Sequence, residues 1–580
     1  MKIITLHCDY IKFKPLKKAI KEPEELKEKG EVHVKEPLVV LIAVEKGDND
    51  KTVSQLIDAV KKTAGEVKAK NIVLYPYAHL SSNLANPNTA LEYLVEAYQV
   101  LKKEGYNVTR APFGYYKEFE LKVKGHPLSE LSKEFNPEGL ALSPKEVVTK
   151  SQQEKPREPT QLLRELSRSK LDTSKLKEND HRILGQKLDL FSFNESAPGM
   201  VFWHNNGLII FNELVSYWRE EHKKAGYQEI STPQVMDRRL WEISGHWNLY
   251  KDNMFTTSYE GRDFAVKPMN CPGGMLVYKS KQRSYKDLPL RMAELGVVHR
   301  QELSGVLAGL FRVIRFTQDD AHIFCSKEQL EPEIIGVVEL FKKMLGKLGF
   351  KDYKFTLSLR GKEKKGKYLG TDEQWKEAEE MLQKTLKKLK IKFEKNPEEA
   401  KFYGPSLDVL IKDSLGREWQ CSTLQLDFNM PERFNLEYTT ADNKSERPIM
   451  LHRVVYGSLE RFIGVLLEHL NGNLPVWLAP IQARIINFTD RNVKSCEKLI
   501  KELKEELPML RVDTDFRSTT VSDKVRDAEM QKIPYVIVIG DKEEKSKTLA
   551  VRERGNAKPR FKVKLDSFVK ELKEKIEKRT

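Results

Sequence analysis

The sequence predicts a multidomain α/β and α+β protein, and three observations carry that expectation. A chain of 580 residues is long enough for three or four domains, each with its own core. Short apolar runs alternate with amphipathic helical stretches at both ends of the chain, the pattern of small α/β units. Between them, residues 288–325 read as two strands joined by a loop carrying Gly305 and Gly309, an antiparallel hairpin rather than a parallel crossover.

At the N-terminus, apolar runs at 3–6, 38–44 and 72–77 suit buried strands. Helical spacing at 52–67 puts Val53, Leu56, Ile57 and Val60 on one face, and a second helix is expected at 88–103, with Thr52 and Asn88 as N-caps. The polar loop YPYAHLSS at 75–82 and the segment APFGYYKEFELKVKGHPLSE at 111–130 hold residues that a core does not need. Residues 135–180 are rich in Ser, Lys, Glu and Pro and lack apolar periodicity, so a linker with some helix is expected there.

The central region opens with HRILGQKLDLFSF and a helix whose Leu208, Phe211, Val215 and Trp218 are spaced as one buried stripe. Arg300 and Glu302 are two residues apart, which on a strand places them on one face of the first hairpin arm, and Arg312 is expected to open the second. Guanidinium groups so arranged suit a phosphate and carboxylate clamp; a solvated sheet edge would carry the same residues. Further amphipathic helices are expected at 330–348 and 372–389, and residues 361–367 read as a basic loop. Beyond the break at 477–480, strands near 484–488, 536–540 and 548–552 alternate with helices near 493–507 and 521–531.

The formal charge of +15 and pI near 9.1 permit a polyanionic partner. Five scattered cysteines without a CxxC pair point to a reducing, cytoplasmic setting. The first ten residues lack a long apolar core and no apolar run is long enough for a bilayer, so neither an export signal nor a membrane partner is expected.

Several strings together carry a resemblance. A helix followed by a segment ending in Pro233, the Arg-x-Glu hairpin, and HRVVYGSLERFIGVLLEHL at 452–470 occur in the order of the three motifs of class II aminoacyl-tRNA synthetases. SGHW at 244–247, KPMNCPG at 267–273, FTQDDAHIF at 316–324, FYGP at 402–405 and TLQLDF at 423–428 narrow the resemblance to the threonyl-tRNA synthetase family. The N-terminal segments resemble the editing domain of its archaeal members, a domain similar in fold to D-aminoacyl-tRNA deacylases. The C-terminal unit resembles the anticodon-binding domain shared by several class II synthetases.

The resemblance implies an editing domain at 1–140, a linker at 141–180, a class II antiparallel-sheet catalytic domain at 181–475 and an anticodon-binding domain at 476–580. It implies ATP-dependent ligation of L-threonine to tRNA(Thr) by a homodimer using Zn²⁺, with Mg²⁺ accompanying ATP. Cys271, His322 and His452 would hold zinc; taken singly, each reads as a buried cysteine or a satisfied core histidine. Met269, Gln318, Asp320, Tyr403 and Gln425 would meet threonine, the first arm's Arg300 and Glu302 would meet ATP with Arg312, Phe316, Gln420, Thr423 and Arg461, and His246 would assist transfer.

Serine has threonine's hydroxyl and lacks only a methyl, so a pocket that sorts by the hydroxyl needs a second sieve. By the same resemblance His79, Lys117, His126 and Glu130 would line a metal-free editing pocket, and Arg517, Arg552 and Arg554 would contact RNA. Gly274, Ser406 and the pair Ile314/Arg315 depart from the family pattern. Two alternatives stay open here: a class II relative for another amino acid, chiefly serine or proline, and a non-enzymatic RNA-binding paralogue.

Overall fold

The computed structural model describes residues 1–20, 23–26, 30–81, 83–126, 128–135, 159–166, 176–361, 368–397, 399–413, 416–556 and 558–580. Of the expected basic loop at 361–367 all but Gly361, and most of the expected linker, lie outside them; within the linker, Pro159–Leu166 is helical. The chain divides into two compact units, Met1–Arg157 and Glu158–Thr580.

In the first unit, strand Pro37–Ala43 has all seven residues buried and pairs in parallel with Asn71–Pro76, which pairs in parallel with Asn107–Arg110. The 17-residue strand Lys2–Lys18 runs antiparallel to Pro37–Ala43 on one side and meets Tyr115–Val123 and Glu130–Glu134 at successive positions on the other. Helices Asp50–Glu66 and Pro87–Lys103 bury Val53, Leu56, Ile57, Val60, Leu94 and Ala97. Their caps differ from the expectation. Asn49 caps the first in a reciprocal box with Thr52, and Asn86 caps the second because Pro87 occupies the first helical position, where its missing N–H leaves no bond unmade.

The second unit is organised on an eight-stranded sheet ordered Gln228–Glu229, Leu290–His299, Arg315–Cys325, Ile449–Ser458, Glu418–Asp427, Ser406–Lys412, Tyr353–Leu359 and Phe393–Pro397, antiparallel except at its two edges. Helices Leu459–His469 and Leu330–Lys347 cover its apolar face. In helix Asn205–Lys224 the buried stripe is Ile210, Leu214, Val215, Tyr217 and Trp218; Leu208 is exposed, because the helix turns its first apolar residue to solvent.

The hairpin also corrects the sequence reading. Its strands end at His299 and resume at Arg315, so Arg300, Glu302 and Arg312 lie in the connection and strand alternation does not place them. The C-terminal sheet, ordered Val512–Asp515, Ala483–Asn487, Tyr535–Ile539, Leu549–Glu553 and Arg560–Val563, contains the three expected strands and two short edge strands without a distinct apolar run. No helix among the described residues is long and apolar enough to cross a membrane.

Candidate active site

The register of the large sheet gathers residues that are far apart in the chain. One row across adjacent strands runs Met292, His322, His452, Gln425 and Ser406; the next runs Glu294, Asp320, Val454, Thr423 and Asp408. Directly opposed residues share a face, so His322 and His452 meet as neighbours with ring centroids 5.1 Å apart. Cys271 arrives on a different element, the first turn of helix Cys271–Lys279.

Cys271, His322 and His452 are all buried and offer donor atoms within 4.8 Å of one another. Burial raises the Cys271 thiol well above its ordinary range and holds the His322 imidazole well below its own, so without an ion both are neutral. His322 Nε2 is buried with no hydrogen-bond partner, a lone pair that a cation would satisfy. His452 Nε2 donates to Asp427 Oδ2 (2.8 Å), leaving Nδ1 as its free donor atom. Asp427 is itself held by the amides of Asn429 and Met430. One thiol and two imidazoles, with a carboxylate behind one of them, fit zinc and leave a fourth position open. The departure at Gly274 lies against this site, because a Cβ there would stand 3.2 Å from His322 Nδ1.

Above the cluster lies a cavity of about 440 Å³. Cys271 and His452 line it, with Met269, Gln318, Asp320, Tyr403 and Gln425 around them. Burial raises the Asp320 carboxyl to about 6, against the pull of His452 and a hydrogen bond from Asn270 (3.3 Å). Arg300, Glu302, Arg312, Phe316, Gln420, Thr423 and Arg461 line the remainder. Arg300 stands over the Phe316 ring at 5.1 Å and donates to Pro268 O (3.2 Å). Arg312 is paired with Glu302 (2.8 Å), which fixes the two against each other across the connection. Arg461 is largely buried in the helix capped by Ser458 and donates through Nε to Phe311 O (2.8 Å); burial and its neighbours Arg300 and Arg312 lower its pKa. Three guanidinium groups in one cavity form a strong anion site.

His246 does not line the cavity. It packs edge-on against Phe402, which does, and burial lowers it to about 3. Ser244 donates to Trp241 O, so His246 Nδ1 donates to Ser244 Oγ (2.8 Å) and Nε2 keeps a free lone pair. Ser406, where the family pattern has lysine, donates to Asp408 Oδ2 (3.1 Å); Ser358, Gln420 and Thr423 donate to the same carboxylate. Arg315 alternates with Phe316, Gln318 and Asp320 along its strand and so falls on the face away from the cavity.

Sequence reasoning missed the groups that hold this arrangement. Asp319, on the face opposite Asp320, accepts from the amides of Val455, Tyr456 and Gly457 and from Trp218 Nε1. It thereby fixes the junction that leads into Ser458 and Arg461. Lys267 is fully buried and bonded to Glu294 (2.8 Å) and Thr232 Oγ1 (3.0 Å), anchoring the segment that carries Met269 and Cys271. Asp427 is the fifth residue of the quoted string TLQLDF, and that string was the available signal for it.

In the first unit the expected residues fall into two groups. Lys117 donates to Pro112 O and Tyr115 O, lies over the Tyr75 ring at 5.1 Å, and is lowered to about 8 by burial. Ring contacts continue from Tyr75 to Tyr77 and from Tyr77 to His79. His126 instead hydrogen-bonds His7 (2.8 Å), and Glu130 pairs in register with Leu6. No hydrogen bond, ion pair or ring contact joins the two groups among the described residues. At the C-terminus, Arg517 is paired with Asp515 and Asp527, and Arg552 lies 3.4 Å from Glu529. Arg554 is half-buried and donates to the carbonyls of Lys532 and Leu474 (2.6 Å for Leu474), so both terminal nitrogens face protein rather than an RNA surface.

Three family models match the chain: the archaea-specific editing domain of threonyl-tRNA synthetase over residues 1–135, the class II core domain (G, H, P, S and T) over 255–470, and an anticodon-binding domain over 480–575. The threonine–tRNA ligase of Desulforamulus reducens is 50% identical over 404 residues, covering 70% of this chain and 62% of its own length. That of Clostridium botulinum strain Loch Maree is 48% identical with the same coverage, so the chain spans about three fifths of these relatives. Among solved structures, the RNA binding domain of threonyl-tRNA synthetase from Cryptosporidium parvum matches with a TM-score of 0.65 and 39% identity, over 68% of this chain and 98% of that one. A putative threonyl-tRNA synthetase from Aeropyrum pernix matches with a TM-score of 0.61 and 32% identity, over 69% and 95%. The chain belongs to the threonyl-tRNA synthetase family of class II aminoacyl-tRNA synthetases, in the form that carries the archaea-specific editing domain.

Proposed function

We propose that this protein ligates L-threonine to tRNA(Thr) through a threonyl-adenylate and hydrolyses seryl-tRNA(Thr) formed in error. The observation that carries the first half is the convergence of Cys271, His322 and His452 beside a cavity lined by Arg300, Arg312 and Arg461. Zinc held by that triad would supply Lewis-acid chemistry toward the amine and hydroxyl of threonine, and valine has no hydroxyl to offer it.

The chain's own groups account for the remaining chemistry. Asp320 accepts from an N–H of the substrate's amine or from its hydroxyl, with Gln318, Tyr403, Gln425 and Met269 closing the pocket. Arg300 bridges the threonine carboxylate and the α-phosphate, while Arg312 and Arg461 hold the pyrophosphate end of ATP, which brings its own Mg²⁺, and Phe316 stacks on adenine. His246 is the candidate for assisting transfer to the tRNA 3′ end, a role that requires Phe402, which stands between it and the cavity, to move aside. In the first unit, Lys117, His79, His126 and Glu130 serve the hydrolysis without a metal. Functional boundaries at 1–140, 141–180, 181–475 and 476–580, homodimerisation and a cytoplasmic location complete the reading, with Arg517 and Arg552 as the C-terminal RNA contacts.

Pyrophosphate exchange into ATP with threonine, serine and valine on zinc-loaded protein tests it. Strong exchange with threonine, weaker with serine and none with valine is expected. Exchange with proline in place of threonine, or with no amino acid at all, would overturn it. Release of serine from seryl-tRNA(Thr) by the full chain tests the second activity, and an ester left intact would remove it.

A further inference from the structure

Asp180, His181 and Glu468 form a second buried cluster with the spacing of a metal site, but its donors are already engaged. His181 Nδ1 donates to Glu468 Oε1 (2.8 Å), and the His181 amide donates to the same oxygen (3.2 Å). His181 Nε2 accepts the amide of Leu310 (3.0 Å). Asp180 is bound by Arg182, and the second Glu468 oxygen by Arg417 (3.4 Å). With Nε2 accepting from a backbone N–H, Nδ1 must carry the imidazole hydrogen, and Glu468 fixes that tautomer.

Leu310 belongs to the connection between the two hairpin strands, the segment that strand pairing does not place. The next residue, Phe311, lies between His181 and Trp419, with ring centroids 4.2 and 4.3 Å away. Its carbonyl accepts from Arg461 Nε (2.8 Å), and Arg312 follows directly. Gly309, at φ +54°, closes against the same imidazole; a Cβ there would stand 2.3 Å from His181 Nε2. A continuous path therefore runs from Glu468 through His181 to Leu310 and Phe311, and on to the two arginines at the far end of the cavity.

We infer that His181, oriented by Glu468, is a positioning residue for ATP: it holds the Leu310–Phe311 backbone where Phe311 O fixes Arg461 and where Arg312 faces the pyrophosphate. This rests on the reading that the arginine end of the cavity holds ATP. The threonine end depends on Cys271, Asp320 and His452 and makes no contact with this path among the described residues.

Direct ATP binding and threonine-dependent exchange, measured on full-length H181N, H181Q and E468Q, test it. Asparagine keeps a donor toward Glu468 but presents no acceptor to Leu310, so H181N is expected to weaken ATP binding and raise its KM about tenfold, the scale of one buried donor left unpaired. Zinc content and the KM for threonine should not move. Glutamine places an oxygen near the position of Nε2, so H181Q is expected to recover most of the affinity, and E468Q, which turns an NH₂ group toward either His181 Nδ1–H or Arg417, should lose ATP affinity by less than H181N and leave the KM for threonine unmoved. Equal ATP affinity in H181N and wild type, or a parallel loss for threonine and ATP, would overturn the inference.

Hydrogen exchange over 309–312 in the wild-type protein without ATP gives a check that needs no variant: protection of Leu310 is expected, and free exchange counts against the clamp. Wild-type protein that binds ATP but shows no threonine-dependent exchange would sink the proposed function and leave this inference standing on the binding data.

Discussion

The cavity residues of the second unit and the candidate editing residues of the first are placed by different geometry. His322, His452 and Gln425 sit side by side across three adjacent strands, and each is held by a buried partner or packed against one. Lys117 and Glu130 pair with one and the same strand, at Pro15 and at Leu6. A straight strand would hold two such positions roughly 30 Å apart, and the bulge between Cys8 and Tyr10 bends this one. Neighbouring strands gather side chains from distant parts of a chain, whereas a single strand spreads them along its length.

Removing a zinc donor should break the comparison at its strongest point. C271A is expected to lose bound zinc and with it threonine-dependent exchange, by more than about a thousandfold, since the triad has no spare donor; metal analysis beside the exchange assay would show it. Retained exchange without zinc would detach the cluster from the reaction.

Next in size is the buried ion pair under the site. K267M leaves Glu294 buried and unpaired and should destabilise the second unit by about 3–5 kcal/mol, read as a lowered melting transition. The double variant K267M/E294L should recover much of that loss, which separates an unpaired charge from a packing defect.

D427N sharpens the account of His452. The amide oxygen can still accept from Asn429 and Met430, but an NH₂ group then faces His452 Nε2–H, so zinc affinity is expected to fall about 10- to 100-fold in competition with a chelator. Unchanged affinity would remove Asp427 from the site.

For the first unit, K117M should lower hydrolysis of seryl-tRNA(Thr) about a hundredfold and leave threonine-dependent exchange unchanged. If E130Q matches it, the two groups act in one pocket; if E130Q is silent, they do not. Burial lowers Lys117 to about 8 from 10.5, so the folded state releases its proton first as pH rises. The cost of burying the charge is present below pH 8 and is relieved between about 8 and 10.5. Local hydrogen-exchange stability around Lys117, corrected for the intrinsic rate, should therefore rise across that window in wild type and stay flat in K117M.

The smallest effect is expected at the C-terminus. R552A should raise the KM for tRNA only about two- to threefold, because a half-buried arginine shared with Glu529 contributes little beyond phosphate attraction.

Much of this was legible in the sequence. Apolar runs located two of the three parallel strands of the first unit, missing the short Asn107–Arg110, and the core strands of the C-terminal sheet, and periodicity located the long helices, because burial of one face imposes those patterns directly. The quoted strings contained Met269, Gln318, Asp320, Tyr403 and Gln425, which line the cavity beside Cys271 and His452, but not Tyr250 or Lys401, which line it too. The helix caps were misplaced by two or three residues, because several polar residues precede each helix and Pro87 decides between them in one case. Arg300, Glu302 and Arg312 were read as strand residues because alternation is a local rule, and the end of pairing at His299 is set by the partner strand.

The sequence by itself determined which residue types were available and that two α/β units flank an antiparallel core. Only the tertiary structure decided that Cys271 would meet His322 and His452, that Arg554 would turn inward, and that His181 would reach Leu310. The physical reason is that cross-strand register and loop clamping depend on residues far apart in the chain. No local period or propensity encodes such a distance, and burial of a hydrogen-bonded partner selects it only once the sheet has closed.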